Sequence, residues 1–279
     1  MKHFGAISCR YTLVFLIFLS LGADGALADG LLQQMPPKGT AVKYEFHQSG
    51  MGQIFESGKG DNEPQKTPMD GDGHIQLAVV GSAVVAGLKC RWIEIEHDMT
   101  IGDQRIYTFA KLLIPEEDVI AAGDPLVRAL RIFHADTPEA MPTLVKSQKH
   151  RQAVLSRLSE MIPRLPNAEN RVNMRLQKQD VEIGGRKLSC TGRVFDYVVD
   201  RYVPNGPHRD QGYFFFRVFS HSTSPTGTVY MEVLRESQLI GCENLSALDK
   251  LQRMNVSTIS RYRLMNVAQD VQSRFPEID

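Results

Sequence analysis

The chain has 279 residues, 42% of them apolar, and its 32 basic residues balance its 32 acidic ones to a formal net charge of zero. That apolar content is enough for a core and excludes a wholly disordered chain. The balanced charge excludes a general electrostatic pull toward nucleic acid or anionic lipid, so no nucleic-acid partner is expected.

Residues 1 to 28 have the pattern of a secretion signal. Lys2 and Arg10 supply positive charge, Tyr11 to Leu21 is an apolar run, and Ala26-Leu27-Ala28 places small residues before Asp29. The run is shorter than the roughly 20 apolar residues needed to span a bilayer, and no later segment is apolar enough. The expected organisation is therefore a signal peptide over 1–28, cleaved between Ala28 and Asp29, and a single β-rich domain over 29–279. The mature chain is expected in the periplasm or outside the cell, with no transmembrane segment. Nothing in the sequence indicates an oligomeric state.

Beyond the Pro36-Pro37 entry, Val42, Tyr44 and Phe46 alternate with Lys43, Glu45 and His47, the period of a half-buried strand. A second short strand is expected over Gln53 to Ser57, and a Gly-, Pro- and Asp-rich loop over Gly58 to Gly73. His74 to Val85 and Cys90 to Glu96 form a hairpin about Ala86-Gly87, and Arg105 to Ile114 is a further strand closed by Pro115. The middle reads as helical. Glu116, Glu117 and Asp118 suit a first turn, and Asp124-Pro125 starts a second helix with Leu126, Leu130 and Phe133 on one side. A longer helix is expected between Pro138 or Pro142 and Pro163, with Val154, Leu155, Leu158, Met161 and Ile162 at the 3.6-residue period. Lys146, Lys149, His150, Arg151 and Arg157 lie among them as a basic, solvated face.

Strands return after Pro166. Val172, Met174 and Leu176 alternate on one phase and Val181 and Ile183 on the other, which predicts a bulge near Lys178 to Asp180. Leu188 to Val199 runs back from Gly184-Gly185. Tyr202 to Gln211 reads as a loop, and Tyr213 to Phe219 as a central strand apolar on both faces. Val229 to Leu234 follows the turn at Ser224 to Gly227, and Val256 to Leu264 is a last strand. Short turns force antiparallel pairing. The expected fold class is α+β: a large curved, half-barrel-like antiparallel sheet packed on one long central helix plus short helices.

Three cysteines follow the signal segment: Cys90, Cys190 and Cys242. An oxidising compartment makes one disulfide plausible, and three single bridges are open. VVAGLKCRWIEIE and VEIGGRKLSCTGRVFDY form a weak repeat of strand, Gly turn, Cys and strand, so neighbouring hairpins would allow a Cys90–Cys190 bridge.

No nucleophile elbow, P-loop, dinucleotide fingerprint, His-Glu-x-x-His or Cys-x-x-Cys occurs, and no cofactor or metal is expected. Glu94, Glu96 and His97 come nearest to an acid–base set, with Trp92 on the same strand. The plainer account is a solvated strand face. Asp70 to Gly73 reads as a turn rather than a calcium loop, for want of the remaining ligands. His208-Arg209-Asp210 is a polar loop triplet.

GLKCRWIEIE followed by KLLIPEEDVIAAGDPL, within residues 87 to 126, resembles a group of uncharacterised exported bacterial proteins, which brings no activity with it. The expected architecture is also similar to the lipoprotein-carrier (LolA-like) half-barrel. That resemblance implies an apolar cavity able to take an acyl chain, hence a lipid or lipidated protein as partner. The leading expectation is an exported, non-catalytic protein that binds an apolar ligand between sheet and helix. Its wall would be Val42, Tyr44, Phe46, Trp92, Leu155, Phe214 and Phe216. The alternatives are an exported hydrolase with a site built from separated residues such as Glu94, Glu96, His97 or His208, and an envelope scaffold that engages a protein through its basic helix.

Overall fold

The computed structural model describes residue 31 and residues 36–56, 64–117, 125–162, 171–202, 208–241 and 251–276. The expected cleavage site, Cys242, and the acidic turn at Asp118 to Gly123 lie outside the described residues.

One antiparallel sheet of twelve strands dominates the molecule. Its strands are β1 (Thr40–Glu56), β2 (Gln65–Pro68), β3 (Gly71–Val85), β4 (Leu88–Ile101), β5 (Gln104–Pro115), β6 (Arg131–Ala135), β7 (Thr143–Leu144), β8 (Arg171–Ile183), β9 (Arg186–Tyr202), β10 (His208–Ser220), β11 (Thr228–Gly241) and β12 (Leu251–Ala268). The order across the sheet is β7-β6-β5-β4-β3-β1-β12-β11-β10-β9-β8, with β2 paired to the far end of β1. β1 and β12 join the two halves over nearly their whole length. Among the described residues one α-helix is given in full, α1 (Gln148–Met161); it is capped by Ser147, whose hydroxyl accepts from the His150 N–H at 3.1 Å.

The fold is thus nearly all β, with 70% strand and 8% helix, and the expected α+β class with a long central helix and short helices is overturned. The error lies in the middle segment. Leu126, Leu130 and Phe133 fit a helical period, yet only Pro125–Arg128 winds, as one 3-10 turn. Arg131–Ala135 instead extends β5's ladder, with Phe133 opposite Lys111 and Ile132 opposite Leu112. A short apolar run beside an open strand edge gains more from pairing than its local period suggests. The expected second short strand is the continuation of β1, and much of the expected loop before Gly73 is strand. The expected 202–211 loop gives way at both ends to β9 and β10.

The hairpins follow the sequence more closely. β3 and β4 turn at Ala86-Gly87, where Gly87 has φ +83°, a left-handed value that glycine adopts without strain. The β8 bulge lies five residues earlier than its expected start. The register shifts between Val172 and Arg175, and Asn173 takes φ +55°. Asparagine is among the few residues with a side chain that tolerate that conformation.

The core sits on the face shared by α1. Val42 and Tyr44 of β1, Ile93 and Ile95 of β4, Leu112 of β5, Phe214 and Phe216 of β10, and Val154, Leu155, Leu158 and Ile162 from the helix segment form one buried cluster. Side chains alternate between faces along a strand, so one phase of each strand feeds this cluster. β8 touches β12 although three strands separate them. A flat sheet would hold them about 19 Å apart at ~4.8 Å per strand, so this end of the sheet rolls over.

Candidate functional site

All seven residues expected to wall a ligand cavity are buried, but they do not form one wall. Val42, Tyr44, Leu155, Phe214 and Phe216 pack in the main cluster. Phe46 belongs to a separate group with Met99 and Ile106, and Trp92 to another with Cys90 and Leu113 on the face away from the helix. The main-cluster aromatics touch one another: Phe216 stacks on Phe195 at 5.1 Å and lies 6.4 Å from Phe214. The Tyr44 hydroxyl is tied to the β10–β11 turn. It donates to the Thr228 carbonyl at 2.8 Å and shares a hydrogen bond with Thr226, and burial pushes its pKa up to about 12. Leu31, just past the expected cleavage point, is buried in the same cluster.

Cys90 and Cys190 are free, buried thiols, so the bridge that the repeat would allow is not formed. Cys90 packs with Trp92 and Cys190 in the main core. The repeat survives only locally: each Sγ faces the carbonyl two residues back, that of Leu88 at 3.5 Å and that of Leu188 at 3.3 Å.

Glu94, Glu96 and His97 do not converge. Glu94 and Glu96 face away from the helix, and the C-terminal segment covers them. Ser273 Oγ donates to Glu94 Oε1 at 2.5 Å, and the Arg274 N–H donates to Oε2 at 3.1 Å. Arg274 also donates to Glu96 at 2.9 Å. The Glu94 side is therefore not the solvated face that alternation suggests: Glu94 is only 7% exposed. Lys111, fully buried beside it, donates to Ser273 Oγ and the Phe275 carbonyl and lies 5.1 Å from the Trp92 ring centre. His97 points to the helix side. Burial, with Arg157 nearby, lowers its pKa to about 3, so it is neutral at physiological pH. The His208 side chain lies outside the described residues.

The expected basic helix face is partly spent on holding the helix down. Arg157 donates to Asp136 at 2.8 Å and to the Tyr107 carbonyl at 3.3 Å, and Arg151 to the Leu130 carbonyl at 3.4 Å. The His150 ring packs edge-on against His134 at 5.9 Å.

An open cavity of about 680 Å³ lies at the other end of the sheet. Two rows of side chains define it, each crossing β9, β10, β11, β12 and β1 in register. One row is Asp200, Gln211, Gln238, Asn255 and Gln53; the other is Val198, Tyr213, Glu236, Ser257 and Met51. Both have the strand phase opposite to Phe214 and Phe216, so they stand on the face away from α1. Between them run Val199, Gly212, Ser237 and Val256, whose backbones form the floor. Gly212 lets β10 and β11 lie close on the core side of this floor, because a Cβ there would sit 2.5 Å from the Ser237 Cβ. The result is a groove across five strands, about 19 Å between the outer two at ~4.8 Å per spacing.

The β8 bulge reaches this groove through a relay. Asn173 Nδ2 donates to Asp196 Oδ2 at 2.6 Å, and the Tyr213 hydroxyl donates to Asp196 Oδ1 at 2.5 Å. These two bonds hold the Asp196 carboxyl below the usual range, and the carboxylate in turn pushes Tyr213 up to about 12. The Tyr213 ring is therefore fixed, neutral and 38% exposed at the groove edge. The sequence reading missed this site. Each amide of the row comes from a different strand, and only the register brings the row together. The one local signal is that Gln211, Gln238, Asn255 and Gln53 each fall on the non-core phase of a strand.

No family model matches the chain, and no curated protein matches it in sequence.

Proposed function

We propose that this chain is an exported, non-catalytic binding protein that takes its ligand in the transverse groove of β9–β12 and β1. The observation that carries the reading is the groove itself: two in-register rows of partly exposed side chains flanking an open space of about 680 Å³. That volume is in the range of small-molecule sites. Export is supported by the charged, apolar and small-residue order of residues 2 to 28. The non-catalytic reading is supported by the separation of Glu94 and Glu96 from His97 on opposite faces of β4. The rival, an acyl chain between sheet and helix, would have to part side chains that already touch in the main cluster.

Mass spectrometry of molecules released from the purified, denatured protein tests the proposal. Ser257→Trp fills the groove from an exposed position without touching the core. A molecule released by the wild type and absent from Ser257→Trp supports the groove. A fatty acid or lipid released equally by both would move the site to the sheet–helix interface. Extracts with no released molecule would overturn the binding reading.

A further inference from the structure

We infer that the groove recognises an extended, uncharged, polyhydroxylated chain, an oligosaccharide lying across the strands; the inference rests on the binding reading above. Gln211, Gln238, Asn255 and Gln53 occupy four consecutive strands of one row, each opposite the next. A carboxamide offers donors and an acceptor from one planar group. A sugar hydroxyl also both donates and accepts, so a ladder of amides matches a ladder of hydroxyls without needing charge on either side.

The other residues narrow the class. Asp200 closes the amide row and Glu236 stands in the facing row. Two carboxylates disfavour a phosphate or carboxylate ligand by like-charge repulsion, yet they accept readily from hydroxyls. An acyl chain fits poorly, because covering partly exposed amides with hydrocarbon strips them of water without replacing the hydrogen bonds. The groove also crosses the strands instead of following a sheet edge. A peptide laid in it could not use backbone pairing, the main source of affinity in strand addition. Tyr213 supplies the apolar element. Its ring stands in the second row, fixed through Asp196, and offers a flat surface to the C–H face of a sugar ring. The repeat of about 4.8 Å between strands sets one polar side chain per spacing, so a chain of similar repeat meets a new amide at each unit.

The test is titration of the 15N-labelled mature chain with cellohexaose, chitohexaose, maltohexaose and mannohexaose. A Gly-Ser decapeptide and oleate serve as comparators. The expected result is saturable movement of the side-chain amide signals of Gln211, Gln238 and Asn255, together with the Tyr213 ring, by at least one hexaose. The Gln238→Ala/Asn255→Ala double variant should weaken that hexaose about tenfold or more, while Lys178→Ala on β8 leaves it unchanged. Amide dispersion of the double variant shows that it is folded. If the decapeptide or oleate moves these signals and no hexaose does, the class is wrong and the groove stands. If no ligand moves them, both fall.

Discussion

The two halves of the sheet differ in how many faces of their strands are covered. In β5 every residue from Ile106 to Pro115 is buried, whereas in β8 every residue from Val172 to Asp180 is exposed. Part of this is chemistry: Lys111 is the only charged residue from Ile106 to Pro115, whereas six of the nine residues from Val172 to Asp180 are polar or charged. Cover differs as well. α1 lies over one face of the first half, and the C-terminal segment, through Ser273, Arg274 and Phe275, lies over the other. Phe275 meets Phe109 edge-on at 5.1 Å, and Arg274 lies 5.8 Å from the Phe109 ring centre. The second half has its core on the helix face, while the groove rows stand on the face away from it. A strand covered twice tolerates polar side chains only where each finds a partner, as Glu94 and Lys111 do. A strand covered once is free to present a functional face.

Breaking the cover should therefore cost most where it is double. Ending the chain after Val271 removes the partners of Glu94, two acceptors of Lys111 and the neighbour of Phe109. A loss of about 3–5 kcal/mol is expected, the range for stripping a buried charge of its partners, measured by denaturant unfolding. Leu158→Ala, at a fully buried helix position, should cost about 2–5 kcal/mol by leaving a cavity under α1. Val198→Ser in the groove half, where the native side chain is 65% exposed, should stay within about 0.5 kcal/mol. Equal losses in the two halves would refute the account of cover.

The same contrast marks what the sequence could show. Alternation at Val42, Tyr44 and Phe46, the glycine turn between β3 and β4, and the doubly apolar run of β10 are local signals, and each appears as an element. Val154, Leu155, Leu158 and Ile162 likewise reach the core, although the segment expected as a second helix is a 3-10 turn and a strand. Two kinds of feature were not legible. Arg131–Ala135 is a strand because β5 offers an edge, which no window around Phe133 contains. Glu94 is buried because a segment 179 residues away returns to cover it. The amide row is the extreme case: five residues from five strands, joined only by register.

His97 tests the covered half by pH. Its pKa in the folded chain, about 3, lies below its ordinary value of 6.5. Above pH 6.5 the ring is neutral in both states and contributes nothing to the pH dependence. Between 6.5 and 3 the unfolded chain binds a proton that the folded chain does not, so stability falls as pH falls, by up to ~1.4 kcal/mol per pH unit. His97→Gln should flatten this slope in unfolding curves taken from pH 7 to 4. An unchanged slope would place the titration elsewhere, at His74 or His134, whose pKa values are lowered too.

The smallest effects belong to the open half, and they fix how the groove is held. Asn173→Gly relieves the left-handed backbone at the bulge but removes a hydrogen bond to Asp196. The backbone gain and the lost bond oppose each other, so the net change in stability should be under about 1 kcal/mol. The Asp196 carboxyl should nonetheless titrate higher, because one of the two bonds that hold it down is gone. Tyr213→Phe removes the other, which is the stronger influence, and should raise it further. Carbon-detected titration of Asp196 in both variants gives the order directly. If Asn173→Gly moved the carboxyl more than Tyr213→Phe, the bulge and not the phenol would set the site's charge. The ring would then be held by packing against its neighbours in the row.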